Sequence, residues 1–480
     1  MMTNMLQTGM IRLGEATEQI RVRLRNPQKV RALELFLLIV AWAVAGSAIA
    51  LVQLGALGGL DTTVLYLTGG IALLTLMVHI VLRVVAREAD PFLLPIATVL
   101  NGIGIAMIYR IDIAEGREGW AADGIRQVAW TALAIIVATA VLLVIRNYRV
   151  LTRYRYLSMF AALVLMVLPM VPGLGSTING ANVWISLGPF SFQPGEIAKI
   201  FLAIFFAGYL MTARESLSVA GKRFLGLRLP RMRDLGPILV IWAVCMVLLV
   251  VQGDLGTGML YFGLFTVMIY VATGRREWIL IGFALVALAI GVLWILSQTH
   301  LTELQGLGLA RAETRVELWL RPFDDHVYNR QYGNSYQVVQ GLFGMAAGGL
   351  FGTGLGLGRP DIVPQAQDDF IIASLGEELG LIGLFAILAL FLVLVTRGLR
   401  IGFRGPDDFT KLLAVGLSFT IALQLFVVVG GVTRVIPMTG LTTPFMASGG
   451  SSLLANWIIV ALLLRLSDSI RSAPEVSDET

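Results

Sequence analysis

Hydrophobic residues in this chain fall into long blocks, and most charged residues lie in the gaps between them. Twelve blocks, at 33–54, 62–82, 92–109, 127–145, 156–172, 196–212, 236–252, 257–273, 278–296, 369–395, 412–432 and 449–466, are each long enough to cross a hydrocarbon layer as a helix. One gap, 297–368, runs to about seventy residues, far above the usual loop length. It holds Tyr328, Tyr332 and Tyr336 and the glycine-rich run "GMAAGGLFGTGLGLG". Apolar and aromatic residues in "SYQVVQGLFGMAAGGLF" recur at helical spacing. The gap therefore predicts short or re-entrant helices at one membrane face, where irregular backbone must be covered by protein or face water. Its glycines equally suit close helix packing. The whole pattern predicts an all-α polytopic membrane protein with about 12 transmembrane helices.

Composition removes the soluble alternatives. The 480 residues are 57% hydrophobic and 14% charged, with a mean hydropathy of +0.80, more apolar surface than a soluble domain hides. Charge sets orientation. With the N-terminus in the cytoplasm, segments on that side carry 26 Lys and Arg and the opposite side 9, Lys199 lying within a span. Both termini are then cytoplasmic, and 297–368 is external. The net charge of +5 belongs to short loops and implies no nucleic acid. A basic amphipathic leader, 1–32, precedes the first span, which reads as uncleaved. One cysteine, Cys245, excludes a disulfide framework and a Cys-based metal site.

With this topology the polar clusters gather at the external face. Gln193, Glu196 and Lys199 lie in "NGANVWISLGPFSFQPGEIAKI", Asp254 in "VQGDLGTG", and Asp361 and Asp369 at the end of the long gap. Arg434 follows the eleventh block. Pro194 suits a first helical turn. Glu196 and Lys199, three apart, are either site groups or an ion pair joining spans. Asp254 is either a site group or a helix cap. The sharpest feature is "QAQDDFIIASLGEELG", where four carboxylates stand at the front of an apolar run. Ionised groups there are expensive and need a reason. Asp369 opens the span at the surface, where it can meet water and a membrane-embedded substrate and accept a proton. Glu377 lies about 80° round the helix and about 12 Å deeper. Glu378 faces nearly away from Asp369, so both glutamates read as polar contacts that lock helices together. No Walker loop or paired-His metal motif occurs, so no nucleotide is expected.

The segments "NGANVWISLGPFSFQPGEIAKI", "QGDLGTG", "NSYQVVQGLFGMAAGGLFGTGLGLG", "QDDFIIASLGEELGLIG" and "IPMTGLTTPFMASGGSSLLANW" resemble, in order and spacing, the SEDS proteins (shape, elongation, division, sporulation). The last block is more similar to the elongation-type RodA branch than to the division-type FtsW branch. The resemblance divides the chain into the leader 1–32, two additional spans at 33–90 as in actinobacterial members, a ten-span glycosyltransferase core at 91–467, and a tail at 468–480. It implies a peptidoglycan glycosyltransferase that polymerises lipid II at the external face and releases undecaprenyl diphosphate. The partners it implies are a class B penicillin-binding protein, the nascent glycan and the elongation machinery. A divalent cation, Mg2+ or Mn2+, is a possible cofactor on the same ground.

The family's essential acid, in "T-D-F-I-F-A", falls on Asp369, with Asp368 in place of Thr. Asp361 falls where many relatives carry an acid. Glu196, Lys199 and Asp254 fall on "S-E-x-x-K" and "P-D-L-G-T", which line the family's polar cavity. Departures are "GANVWI" for "GARRWI", Gly195 for Ser and Gly253 for Pro. Asp368 beside Asp369 is also a departure, and a like charge raises the pKa of one of the two. Asp369 is then the general base, with Lys199, Arg434 or a cation offsetting the diphosphate. A lipid II flippase and a recruiting scaffold are the rival readings. A flippase needs polar groups reaching both faces, and a scaffold tolerates loss of Asp369.

Overall fold

Every one of the twelve hydrophobic blocks falls on a helix. The computed structural model describes residues 27–178, 181–187, 190–218, 223–224, 227–228, 232–299, 309–331 and 333–472. The leader before Pro27, Asn179, Tyr332 and the tail after Ser472 lie outside the described residues. Helices α1 (Pro27–Leu57), α2 (Thr63–Val85), α3 (Leu93–Glu115) and α4 (Asp123–Val144) are followed by the shorter α5 (Arg155–Val167). Next come α6 (Pro194–Ser218), α7 (Met232–Gln252), α8 (Leu255–Thr273) and α9 (Glu277–Thr299). Then α10 (Leu309–Leu320) and α11 (Tyr336–Gly348) occupy the long gap, before α12 (Ile371–Phe403), α13 (Asp408–Val432) and α14 (Gly450–Ser472).

Among the described residues, nine helices are long and apolar enough to cross a membrane. The expected count of twelve crossings is matched at nine, and the other three blocks carry apolar helices whose fully described stretches, Arg155–Met170, Gly236–Gln252 and Glu277–Leu288, are shorter. In the first of these, Pro169 lies in a tight 3-10 turn, Leu168–Met170, that closes the block. Sequence reasoning also missed a three-stranded antiparallel sheet, so the all-α expectation is corrected there. Strands β1 (Gly175–Ile178), β2 (Ala181–Leu187) and β3 (Phe190–Phe192) follow one another, with Ser176 opposite Trp184 and Ile185 opposite Phe192. "ANVWISL" carries the β-branched and aromatic residues that favour a pleated surface.

Capping explains where several helices begin and end. Asp254 accepts the Thr257 N–H at the head of α8, and Asp407 accepts that of Thr410 at the head of α13. Left-handed Gly116 and Gly274 close α3 and α8. The core lies where α4 meets α14, α5 meets α6, and α12 meets both α11 and α13. α1 rests on α2 and α3.

The most consequential departure from regular helix is inside α12. Gly380 sits at φ 67° and ψ −172°, so the continuous apolar run contains a break. Leu381 N–H donates to the Gly349 carbonyl and Ile382 N–H to that of Leu350. The backbone after α11 thus replaces the helical bonds lost at the break. A Cβ on Gly380 would lie 2.2 Å from the Gly352 nitrogen, so two backbones touch where no side chain fits. The segment ahead of the break, buried except at Leu379, carries Glu377 and Glu378.

Candidate active site

Asp368 and Asp369 lie in the turn that leads into α12, outside the helix itself. Phe370, fully buried, pins this turn by packing beneath Gly341 of α11, where a Cβ would meet its ring at 2.7 Å. One helical turn earlier on α11, Gln337 donates to Asp369 Oδ1 at 3.3 Å and to the Pro364 carbonyl at 2.8 Å. The spacing of 337 and 341 puts anchor and donor on one face of α11. Both acids are half-buried. Loss of water around Asp369 pushes its carboxyl up to about 6, although a backbone N–H, the Arg315 charge and Gln337 favour the anion. Burial, then the charge of Asp369, then that of Asp123 push Asp368 up to about 7, against the pull of Arg117 and Arg126. The like-charge effect therefore falls on Asp368.

The expected site residues divide into separate groups. Gln193 donates to Asp254 Oδ2 at 3.0 Å, and its backbone N–H to Ser451 Oγ at 2.6 Å. Asp254 also accepts Thr257 Oγ1 at 2.6 Å, and these residues line a small crevice with Gly195 and Gln252. One turn into α6, Glu196 and Lys199 pair, and the Lys199 ammonium donates to Gln424 Oε1 at 2.9 Å. Gln424 is held in turn by the Thr442 carbonyl. Lys199 is 2% exposed and fully engaged, so it does not face a substrate diphosphate here. Asp361 pairs with Arg359, which holds its carboxyl below the usual range. Arg434, in a left-handed backbone conformation, donates to the Trp319 carbonyl at 2.8 Å, while Trp319 Nε1 donates back to the Arg434 carbonyl. This clamps α10 to the end of α13.

Glu377 and Glu378 also differ from expectation. Both are buried, but their partners are mainly the backbone of the glycine-rich segment. Glu378 accepts the N–H groups of Gly356 at 2.9 Å and Gly358 at 3.3 Å, and Glu377 accepts that of Arg359 at 2.8 Å. Only Glu378 also bridges helices, through Arg110 Nε of α3 at 2.9 Å. Their main work is to hold 353–359 against the broken end of α12.

Sequence reasoning missed Gln337, Arg315, Arg117 and Arg126 around the acids, and Gln424 beside Lys199. Gln337 stands in the quoted "NSYQVVQGLFG", but its role shows only once α11 is folded over the turn. The segment after α13 connects the two polar groups. Ser448 N–H donates to the Gln367 carbonyl next to Asp368, and Ser451 Oγ accepts from Gln193.

The fold and site together define a polytopic helical membrane protein with a pair of acids at the head of a broken helix. A family model described as "Cell cycle protein", covering FtsW, RodA and SpoVE, matches residues 90–472. The chain belongs to this family, the SEDS family. It is 43% identical over 448 residues to the peptidoglycan glycosyltransferase RodA of Mycobacterium tuberculosis strain H37Rv, covering 92% of this chain and 91% of that one. It is 33% identical over 384 residues to the stage V sporulation protein E of Bacillus subtilis strain 168, covering 79% and 96%. Among solved structures, a chain of a peptidoglycan synthase complex that coordinates polymerization and crosslinking superposes with a TM-score of 0.61 at 24% identity, covering 80% of this chain and 99% of that one. Thermus thermophilus RodA superposes at 0.54 and 22%, covering 80% and 98%.

Proposed function

We propose that this chain is a peptidoglycan glycosyltransferase that polymerises lipid II at the external face of the cytoplasmic membrane during elongation, with Asp369 as general base. The carrying observation is the Asp369 carboxyl itself, raised to about 6 by burial and held by Gln337 at the mouth of a membrane helix. A base with that pKa is ionised at neutral pH and still basic enough to take a proton. Asp369 accepts the proton of the acceptor sugar's 4-hydroxyl, and that oxygen attacks C1 of the lipid-linked donor with inversion. The C1–O bond to the diphosphate breaks and undecaprenyl diphosphate leaves. Its charge makes a strong general acid unnecessary. Arg315, whose field reaches Asp369, is the cation that would offset the departing charge, while Arg117 and Arg126 are paired with Asp123.

Two adjacent carboxylates suit Mg2+ or Mn2+ shared with a diphosphate and water. Among the described residues no set of three acidic, His or Cys ligands converges. Asp368, beside the base, is the group that would hold the ion, and its contribution would be charge neutralisation. A class B penicillin-binding protein is the partner this reading requires. Phe323, Phe343, Phe351 and Leu357, all more than half exposed in the long external segment, offer it an apolar surface.

The test is polymerisation of purified lipid II by the purified protein, with and without its cognate transpeptidase, read as glycan ladders on a gel. Glycan that appears and grows on adding the partner supports the proposal. Lipid II crossing the bilayer with no glycan made would establish the flippase instead.

A further inference from the structure

At the opposite end of α12 from the acids, four arginines and one aspartate line a concavity. α12 supplies Arg397 and Arg400, the residue after its end supplies Arg404, α14 supplies Ser467 and Arg471, and the turn before α3 supplies Asp90. The charge count puts every one of these arginines on the cytoplasmic side. The aspartate is fully committed. It is 2% exposed. Its Oδ2 accepts Arg471 at 2.7 Å and Arg397 at 3.4 Å, and its Oδ1 accepts the Phe92 N–H at 3.0 Å. Arg397 is further fixed over the Phe92 ring, 4.0 Å from its centroid. Among the described residues, the guanidiniums of Arg400 and Arg404 are exposed and have no hydrogen-bond or ion-pair partner. Four arginines thus line the concavity with one aspartate, which pairs with two of them and leaves the other two unpaired.

Helix-end arginines offset the helix dipole and mark the cytoplasmic side. Those roles require only exposure. They do not account for two elements converging on one concavity, with two arginines fixed by a buried acid and two left open. Such an arrangement matches a phosphate group, which takes several N–H donors at once. The surroundings identify the source. Phe385, Leu392 and Phe403 of α12 are more than half exposed. Leu392, Thr396, Arg400 and Phe403 share one face at helical spacing. An apolar, lipid-facing stripe therefore runs down α12 and ends on the open arginines.

We infer that this pocket binds the phosphate of an anionic phospholipid of the cytoplasmic leaflet, with an acyl chain lying along α12. The lipid bridges α12 to α14 and the turn before α3. Basic pockets between helices on this side of a membrane commonly take anionic headgroups.

The test uses the full-length protein in a neutral detergent, and the double variant Arg400→Gln/Arg404→Gln. Neither side chain has a partner to lose, so the variant is expected to match the wild-type melting temperature without added lipid. Native mass spectrometry and thermal shift are read with phosphatidylglycerol, with phosphatidylcholine, and with inorganic phosphate. The expected result is retention of phosphatidylglycerol over phosphatidylcholine by the wild type, and binding about 30-fold weaker in the double variant. Stabilisation by inorganic phosphate with no response to phosphatidylglycerol would overturn the lipid assignment. Equal retention of phosphatidylglycerol by both proteins, or no preference over phosphatidylcholine, would overturn the site.

Discussion

In the proposed mechanism the chemistry rests on one carboxylate, that of Asp369. Asp369→Asn keeps the shape and the Gln337 contact but removes the base. Polymerisation of lipid II is expected to fall by about 10²–10⁴, with unchanged melting temperature and partner binding. A folded Asp369→Asn protein that polymerises at the wild-type rate would refute the assignment. The pH profile follows from the same residue. Its carboxyl is raised above the ordinary aspartate range to about 6, and only the ionised form is a base. Activity should therefore be complete at neutral pH and fall as pH drops through about 6. A solvated aspartate would hold its activity to near pH 4. Asp368 is the member of the pair raised by its neighbour, so it ionises after Asp369. Asp368→Asn should leave the acid limb of the pH–rate profile in place, a result opposite to that expected if Asp368 governed Asp369.

Among the elements, the broken helix carries the arrangement. Glu378 is buried against Arg110 and two peptide N–H groups. Glu378→Gln leaves the Arg110 charge unanswered and is expected to cost about 3 kcal/mol, seen as a lower melting temperature in detergent. Glu377→Gln, which leaves no buried cation unpaired, should cost about 1 kcal/mol. Gly380→Ala is expected to fail to accumulate as folded protein. Its dihedrals belong to glycine alone, and the Cβ has no room beside Gly352. This break was not legible in the sequence, because the hydrophobic run through 379–395 continues without a polar mark. The long helices were legible because burial in lipid demands unbroken apolar length. The sheet was not, because β2 spans only seven residues between glycines. Asp369 stood out as an acid at the head of an apolar run. Its partner Gln337 is neutral and 32 residues away in sequence, so only folding brings them together.

The whole molecule depends on orientation. A cysteine at Asp325, exposed beyond α10, should react with an impermeant thiol reagent on intact cells, and one at Asn147, exposed between α4 and α5, should not. Ser335 in the same segment is unsuitable for labelling, since it is buried and bonded to the Pro322 carbonyl. The native Cys245 is buried and adds no background. The packing of α1 has a bearing on how little of the chain suffices for activity. A Cβ on Gly55 would come 2.4 Å from the Leu355 carbonyl, and one on Gly356 would come 2.7 Å from that of Val52. Leu355 also packs against Ile49 and Ala106. The far side of the segment held by Glu377 and Glu378 is thus backed by a helix that lies before residue 90, where the family match begins. A chain trimmed to that match would keep the acids and every side chain that touches them. It would also open the Gly356 N–H to solvent and let the break at Gly380 lose its support. The smallest portable polymerase therefore starts at α1, and transplanting the matched region alone should yield an inserted but inactive protein.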